Sequence, residues 1–154
     1  MPRIEAQIEI AVVPATLFYF CHDVAKRSLW DERVMAMEML SPAPVRQGTL
    51  VRIDAAQGGE FAFTWDAEYV EFHFPQNSTL QVLDAAPSSP FASGSETWRF
   101  SSIGGGKTRF TLLWEYRPRG LIGRLLDNLG RRSATRKMIQ RSLENLKALV
   151  EAGS

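Results

Sequence analysis

The sequence predicts a single α+β domain of 154 residues, in which an antiparallel sheet is covered by a long C-terminal helix. Three observations carry this expectation. Up to residue 116 the apolar residues recur in short runs with the period of a strand. From residue 120 the period lengthens to that of a helix. No internal repeat and no linker divides the two parts. A sheet with one apolar face must bury it, and the last segment is the only element long enough to serve as cover.

Residues 3–10 alternate Ile4, Ala6, Ile8 and Ile10 against Arg3, Glu5, Gln7 and Glu9, which describes a half-buried strand. Pro14 fits the first turn of a helix, where its missing N–H is not needed, and Leu17, Phe18 and Cys21 follow at helical spacing. That helix is expected to end near Asp23, with a second short one over 28–32 carrying Trp30. Residues 33–40 alternate again, with Met35, Met37 and Met39 on one side, and a Pro-rich link follows over 41–47. Residues 49–55 read as a strand, and Gln57-Gly58-Gly59 as a turn. Over 61–74 the apolar phase slips from Phe61, Phe63 and Trp65 to Val70, Phe72 and Phe74. A slip of one residue predicts a β-bulge and a sheet that curls. A turn at Pro75-Gln76-Asn77, a short strand over 79–83 and a Pro/Ser loop over 85–94 come next. Strands over 95–101 and 108–116 flank a glycine hairpin at Gly104–Gly106. In the tail, Ile122, Leu125, Leu126 and Leu129 form one stripe, and Ile139, Leu143, Leu146 and Val150 another. The two are offset by roughly 70° on a helical wheel. A kink is expected between them, at Gly130-Arg131-Arg132-Ser133.

Composition excludes several classes. A hydrophobic fraction of 45% and a charged fraction of 23% belong to a globular chain. One cysteine, Cys21, gives no disulfide framework, and two separated histidines leave no metal-ligand spacing, so neither metal nor cofactor is expected. The charged N-terminus and the lack of a bilayer-length apolar run predict a soluble protein of the reducing cytoplasm. The net charge of +1 hides an asymmetry: residues 1–116 carry −5 and residues 117–154 carry +6. The basic tail reads as a solvated helix face. The alternative is an acidic partner, with weak membrane contact through this helix. No nucleic-acid partner, no stable membrane insertion and no salt-sensitive binding to anionic vesicles are expected.

Several short motifs resemble one family. Val13-Pro14, Phe18, Asp23, Trp30, Val34, Glu38-Met39-Leu40, Pro44-Val45 and Gly48-Thr49 are similar to the opening pattern of the START-like (SRPBCC) superfamily, in its bacterial polyketide cyclase/dehydrase-like branch. Gly105-Gly106-Lys107-Thr108, Pro118-Arg119-Gly120 and Leu143-Glu144-Asn145-Leu146-Lys147 are similar to its closing pattern. The resemblance spans nearly the whole chain. It implies a helix-grip fold, with a curved seven-stranded sheet gripping the helix around a cavity for a small hydrophobic molecule. The cavity mouth is expected where the helix begins, with the links at 41–47, 75–77 and 103–106 gathered near residues 117–120.

No catalytic motif stands out. His22, beside Asp23, is expected in a surface or capping role. His73 and Glu71 share one side of a strand; they read as a solvated face or as an acid/base pair. Trp30 and Asp23 read as structural. The aromatics say more, since four Trp and nine Phe are many for this length. Each large aromatic buries on the order of 150–250 Å², which contributes roughly 4–6 kcal/mol as an upper estimate. They serve as plain core or as cavity lining, and the implied fold favours lining. Met35, Met37, Trp65, Tyr69, Trp98, Phe100, Leu112, Trp114 and Tyr116 are therefore the candidate ligand-binding residues. The methionine alternation fits strand packing equally well. Three functions follow: a carrier of a lipid, polyketide or isoprenoid; a cyclase/dehydratase-type enzyme using the same cavity; or a protein- or membrane-docking module that uses the basic helix.

Overall fold

The computed structural model describes residues 2–57 and 59–153. Among these, seven strands form one antiparallel sheet: β1 (Arg3–Ile10), β2 (Val34–Met39), β3 (Leu50–Gln57), β4 (Glu60–His73), β5 (Asn77–Ala85), β6 (Phe91–Gly104) and β7 (Lys107–Pro118). Their order across the sheet is β1-β7-β6-β5-β4-β3-β2. Between β1 and β2 run α1 (Pro14–Cys21), a 3-10 turn (Val24–Lys26) and α2 (Arg27–Trp30). After β7 come α3 (Gly120–Leu126), a π-type turn (Asp127–Arg131) and α4 (Arg132–Ala152). This is a helix-grip fold: a curled half-barrel holding a long C-terminal helix.

The phase slip in β4 resolves to a definite place. Tyr69 pairs with Leu80 and Glu71 with Thr79, so Val70 is the extra residue. A second irregularity lies between Asp66 and Ala67, and β3 and β4 shift register between Ala55 and Ala56. Each extra residue increases the local twist, and together they curl the sheet. Gln57 pairs with Glu60 across the β3–β4 hairpin; Gly58 of the expected turn lies outside the described residues. Strand β6 begins four residues before its expected start, because Phe91, Ser93 and Gly94 pair with Pro118, Arg117 and Tyr116. Cross-strand pairing here overrides weak local β-propensity.

Gly130 has a φ of 150°, a conformation open to glycine, and it divides the C-terminal helix at the expected place. Beyond it, Ile139, Leu143, Leu146 and Val150 are buried against the sheet. Four such side chains contribute about 6–12 kcal/mol as an upper estimate. Ser142, on the same face, accepts from the Glu32 backbone N–H at 2.9 Å, and Asn145 donates to the Trp30 carbonyl at 3.3 Å. These contacts tie α4 to α2. The other apolar stripe does not pack: Ile122, Leu125, Leu126 and Leu129 are all exposed.

Counting strands corrects the expected position of the mouth. The links after β2, β4 and β6 lie at one end of the sheet. Residues 117–120 follow β7, and therefore lie at the opposite end with the β3–β4 hairpin and the loop at 86–90. The backbone confirms this, since Arg119 N–H donates to the Pro90 carbonyl at 3.1 Å.

His22 is also not where a surface role would put it. It is buried against Phe18, Phe72 and Trp98. Nδ1–H donates to the Phe18 carbonyl at 2.7 Å, which leaves Nε2 to accept from the Ser78 hydroxyl at 2.7 Å. Burial, aided by the Arg27 charge and opposed by the Phe18 hydrogen bond, lowers its pKa from 6.5 to about 4. The unfolded chain therefore binds a proton between those values that the folded chain refuses. Stability is full above about pH 6.5 and falls by on the order of 3 kcal/mol as the pH drops to about 4. Denaturant melts across this range should show the decline, and His22→Gln should flatten it. Parallel pH profiles for the two proteins would overturn the assignment.

Candidate ligand cavity

A cavity of about 840 Å³ lies between the sheet and the C-terminal helices. Its sheet wall carries Phe63 and Trp65 from β4, Phe91 and Glu96 from β6, and Trp114 and Tyr116 from β7. The helix wall carries Ile122, Gly123 and Leu126 from α3, with Ala134, Thr135 and Met138 from α4. It reaches the β3–β4 hairpin at Gln57 and Glu60 and the loop at Ser88–Pro90. The opening thus lies at the end where the helix begins, beside the 86–90 loop, and not beside the links at 41–47, 75–77 and 103–106.

Inward-facing positions on β6 and β7 explain the aromatic wall. Glu96 and Trp98 share a face with Trp114 and Leu112, their cross-strand partners. Trp114 stacks on Tyr116 with ring centroids 5.7 Å apart, and meets Phe91 edge-on at 5.2 Å. Its six-membered ring lies over Gly94, where an added Cβ would come within 2.4 Å of Cη2. Only glycine leaves room for the indole there.

Two polar clusters border the cavity. At the buried end, Arg27, Arg33 and Glu96 reach the lining, and Asp31 lies behind them. Arg27 Nε donates to Asp31 Oδ2 at 2.9 Å, and its Nη2 to Glu96 Oε2 at 3.1 Å. Arg33 contacts Asp31 at 2.9 Å and Glu96 at 2.7 Å. Trp98 Nε1–H adds a third donor to Glu96, at 2.9 Å. The Arg27 guanidinium also sits 4.6 Å from the Trp98 ring centroid. Two cations and two carboxylates make this cluster electrically neutral. Burial favours the neutral form of Asp31, but the Arg33 and Arg27 charges and the Arg33 hydrogen bonds outweigh it. They hold its carboxyl well below the usual range.

In the helix wall, the Tyr116 hydroxyl donates to Asp127 Oδ1 at 2.5 Å, and Arg132 holds the other Asp127 oxygen. Burial first, and the hydrogen bond to Asp127 second, push the Tyr116 phenol up to about 12. It stays protonated and acts as a hydrogen-bond donor.

Of the nine candidate residues, the structure brings Trp65, Trp114 and Tyr116 together on the lining. Tyr69, Trp98, Phe100 and Leu112 are buried in the core, outside the lining. Met35 is exposed and Met37 packs beside the smaller cluster around Ile53 and Tyr69; neither reaches the cavity. A register shift between Val34 and Ala36 turns Met35 out and puts Met37 in phase with Val34, and of these three only Val34 reaches the lining. His73 and Glu71 are exposed on the outer face. The sequence reading passed over Arg27, Arg33, Glu96 and Asp127. Glu96 had a signal: it alternates in phase with Trp98 and Phe100, and a carboxylate on an apolar strand face calls for a buried cation.

A profile of the family described as polyketide cyclase / dehydrase and lipid transport matches residues 1–151. No curated protein matches the chain in sequence. Among solved structures, a protein of Thermus thermophilus is similar at a TM-score of 0.80 and 21% identity, over 99% of both chains. A START superfamily protein of Mycobacterium smegmatis is similar at 0.77 and 12% identity, again over 99% of both. The Zhui aromatase/cyclase of a Streptomyces species follows at 0.75 and 14% identity, over 97% of this chain and 93% of that one. At such identities the likeness concerns the fold.

Proposed function

This chain belongs to the polyketide cyclase / dehydrase and lipid transport family, and from that premise we propose that it binds and carries a small hydrophobic molecule. The observation that carries the reading is the cavity itself. Its volume of about 840 Å³ suits one lipid-, polyketide- or isoprenoid-sized ligand. Trp65, Trp114, Phe63 and Phe91 offer an apolar wall, and the Tyr116 phenol stands beside them on the lining. The charged groups at the buried end pair with one another, and among the described residues Arg27 Nη1 is the one nitrogen of the cluster left buried without a partner, a donor available to orient a ligand.

Native mass spectrometry of the purified protein tests this, and an apolar adduct is the expected result. After delipidation, a fluorescent fatty acid should bind with one site per chain. Ala134→Trp, an exposed position on the helix wall, should weaken that binding by about tenfold or more while leaving the melting temperature unchanged. An unliganded protein that binds no apolar probe would sink the proposal.

Cyclase or dehydratase chemistry in the same cavity is the second reading, and the Tyr116–Asp127–Arg132 chain favours it. The Tyr116 phenol stays protonated, and its one proton, held by Asp127, would polarise a carbonyl once turned from Asp127 to the ligand. The two readings separate on Tyr116→Phe, which removes a proton donor from an enzyme but leaves a carrier's affinity for an apolar probe nearly intact.

A further inference from the structure

Helix α3 is mounted with its apolar side outward. Around its wheel Leu121, Ile122, Leu125 and Leu126 span an arc of roughly 140°, opposite Gly123 and Asp127. Gly123 and Asp127 are the buried residues, whereas the four apolar ones are exposed, Leu121 and Leu125 outside the cavity lining and Ile122 and Leu126 along its rim. Leu121 is 81% exposed, Ile122 75%, Leu125 58%, and Leu129 in the following turn 72%. An exposed cluster of this kind marks an interaction surface. Beside it is a shallow cleft of about 280 Å³ that brings Arg117, Arg124 and Arg132 together around one carboxylate, Asp127. Among the described residues, no carboxylate pairs with Arg117 or Arg124 within salt-bridge distance.

We propose that the outward face of α3 and the arginine cleft beside it dock the protein on an anionic phospholipid bilayer. The apolar row has the character of an interfacial helix, which lies in the membrane plane with its hydrophobic side among the acyl chains. The arginines supply charge complementarity to lipid phosphates at the level of the headgroups. The +6 charge of residues 117–154 adds attraction toward a negative surface. A second copy of this chain suits the face less well. A two-fold contact sets the same surface against itself and brings like charges together.

The sequence offered a basic helix that reads as solvated; the outward leucines are what change that reading. Docking stands independently of what the cavity holds. If the cavity carries an apolar ligand, then Ile122 and Leu126, which belong both to this face and to the cavity lining, put the mouth at the acyl boundary.

Co-flotation with vesicles tests the proposal. The full chain should bind phosphatidylcholine vesicles containing phosphatidylglycerol, and not those of phosphatidylcholine alone. Added salt should weaken binding, because the arginine contribution is screened beyond a Debye length of about 10 Å at 0.1 M. Leu125→Glu with Leu129→Glu should reduce binding at least about tenfold, and Arg117→Gln with Arg124→Gln should do likewise. Neither pair lines the cavity, so apolar-probe affinity should be unchanged in both. That keeps a failure of docking distinct from a failure of ligand binding. No flotation, or flotation that ignores both pairs of substitutions, overturns the proposal. So does a concentration-dependent dimer in sedimentation velocity that the leucine substitutions dissolve, because the face then serves a second copy.

Discussion

Asp31→Ala is expected to cost the fold about 3–5 kcal/mol, measured as a fall in the denaturant midpoint. Asp31 is fully buried, and both of its oxygens are used. Oδ2 accepts from Arg27 Nε and Arg33 Nη2, each at 2.9 Å, and Oδ1 from Arg33 Nε and the Arg33 backbone N–H, each at 3.0 Å. Truncation leaves two guanidinium groups to share Glu96, with a net positive charge at a site where Arg27 is buried between Trp30 and Trp98. The loss comes from that uncompensated charge more than from the missing bonds. Adding Arg27→Met to Asp31→Ala should therefore recover part of the stability, since Met restores neutrality and fits between the two indoles. Additive losses in this double-mutant cycle would show that the charges do not act as a unit. The acid limb carries a second check. Asp31 contributes its full charge-dependent stability above about pH 3.9 and loses it only in stronger acid, because its folded pKa is depressed. The difference between wild type and Asp31→Ala should thus hold through neutral pH and close only at the acid extreme.

Trp114→Ala and Trp30→Ala should fail in opposite ways. Trp30 is enclosed by the core, 5.8 Å from the Trp98 ring and under the Arg27 guanidinium. Its removal leaves a void on all sides and should cost about 3–5 kcal/mol, with little change in probe affinity for the protein that remains folded. Trp114 has packed partners on one side, in Gly94, Phe91 and Tyr116, and the cavity on the other. With fewer atoms to lose it should cost about 1–3 kcal/mol, while weakening a naphthalene sulfonate or fatty-acid probe by about tenfold. Denaturant melts and probe titrations on both variants decide between wall and core. Equal destabilisation with binding untouched would make Trp114 a core residue.

Much of the fold was legible because it is written in short-range periods. The alternation of Ile4, Ala6 and Ile10 against Arg3, Glu5 and Glu9 specifies β1 whatever it pairs with. The phase slip after Trp65 announced the bulge at Val70, and Gly130 announced the break in the helix. In each case a backbone preference acts over a few residues, so the neighbours in sequence suffice to reveal it. The family pattern, spread over the whole length, added the grip and the cavity.

The sequence by itself therefore determined the elements, their order and the presence of a cover for the sheet. Tertiary structure alone decided which surfaces met. Whether Trp98 or Trp114 reaches the cavity depends on where the curled sheet parts from the helix, and both have the same strand phase. His22 looks like a surface residue beside Asp23 until α1 is laid across Phe72 and Trp98. The Arg27–Asp31–Arg33–Glu96 cluster joins groups 69 residues apart, through contacts that no local period encodes. The two apolar stripes of the C-terminal segment look equivalent in sequence, yet one is buried and the other faces outward. The break at Gly130 lets each half turn independently, and only long-range packing selects which half the sheet will hold.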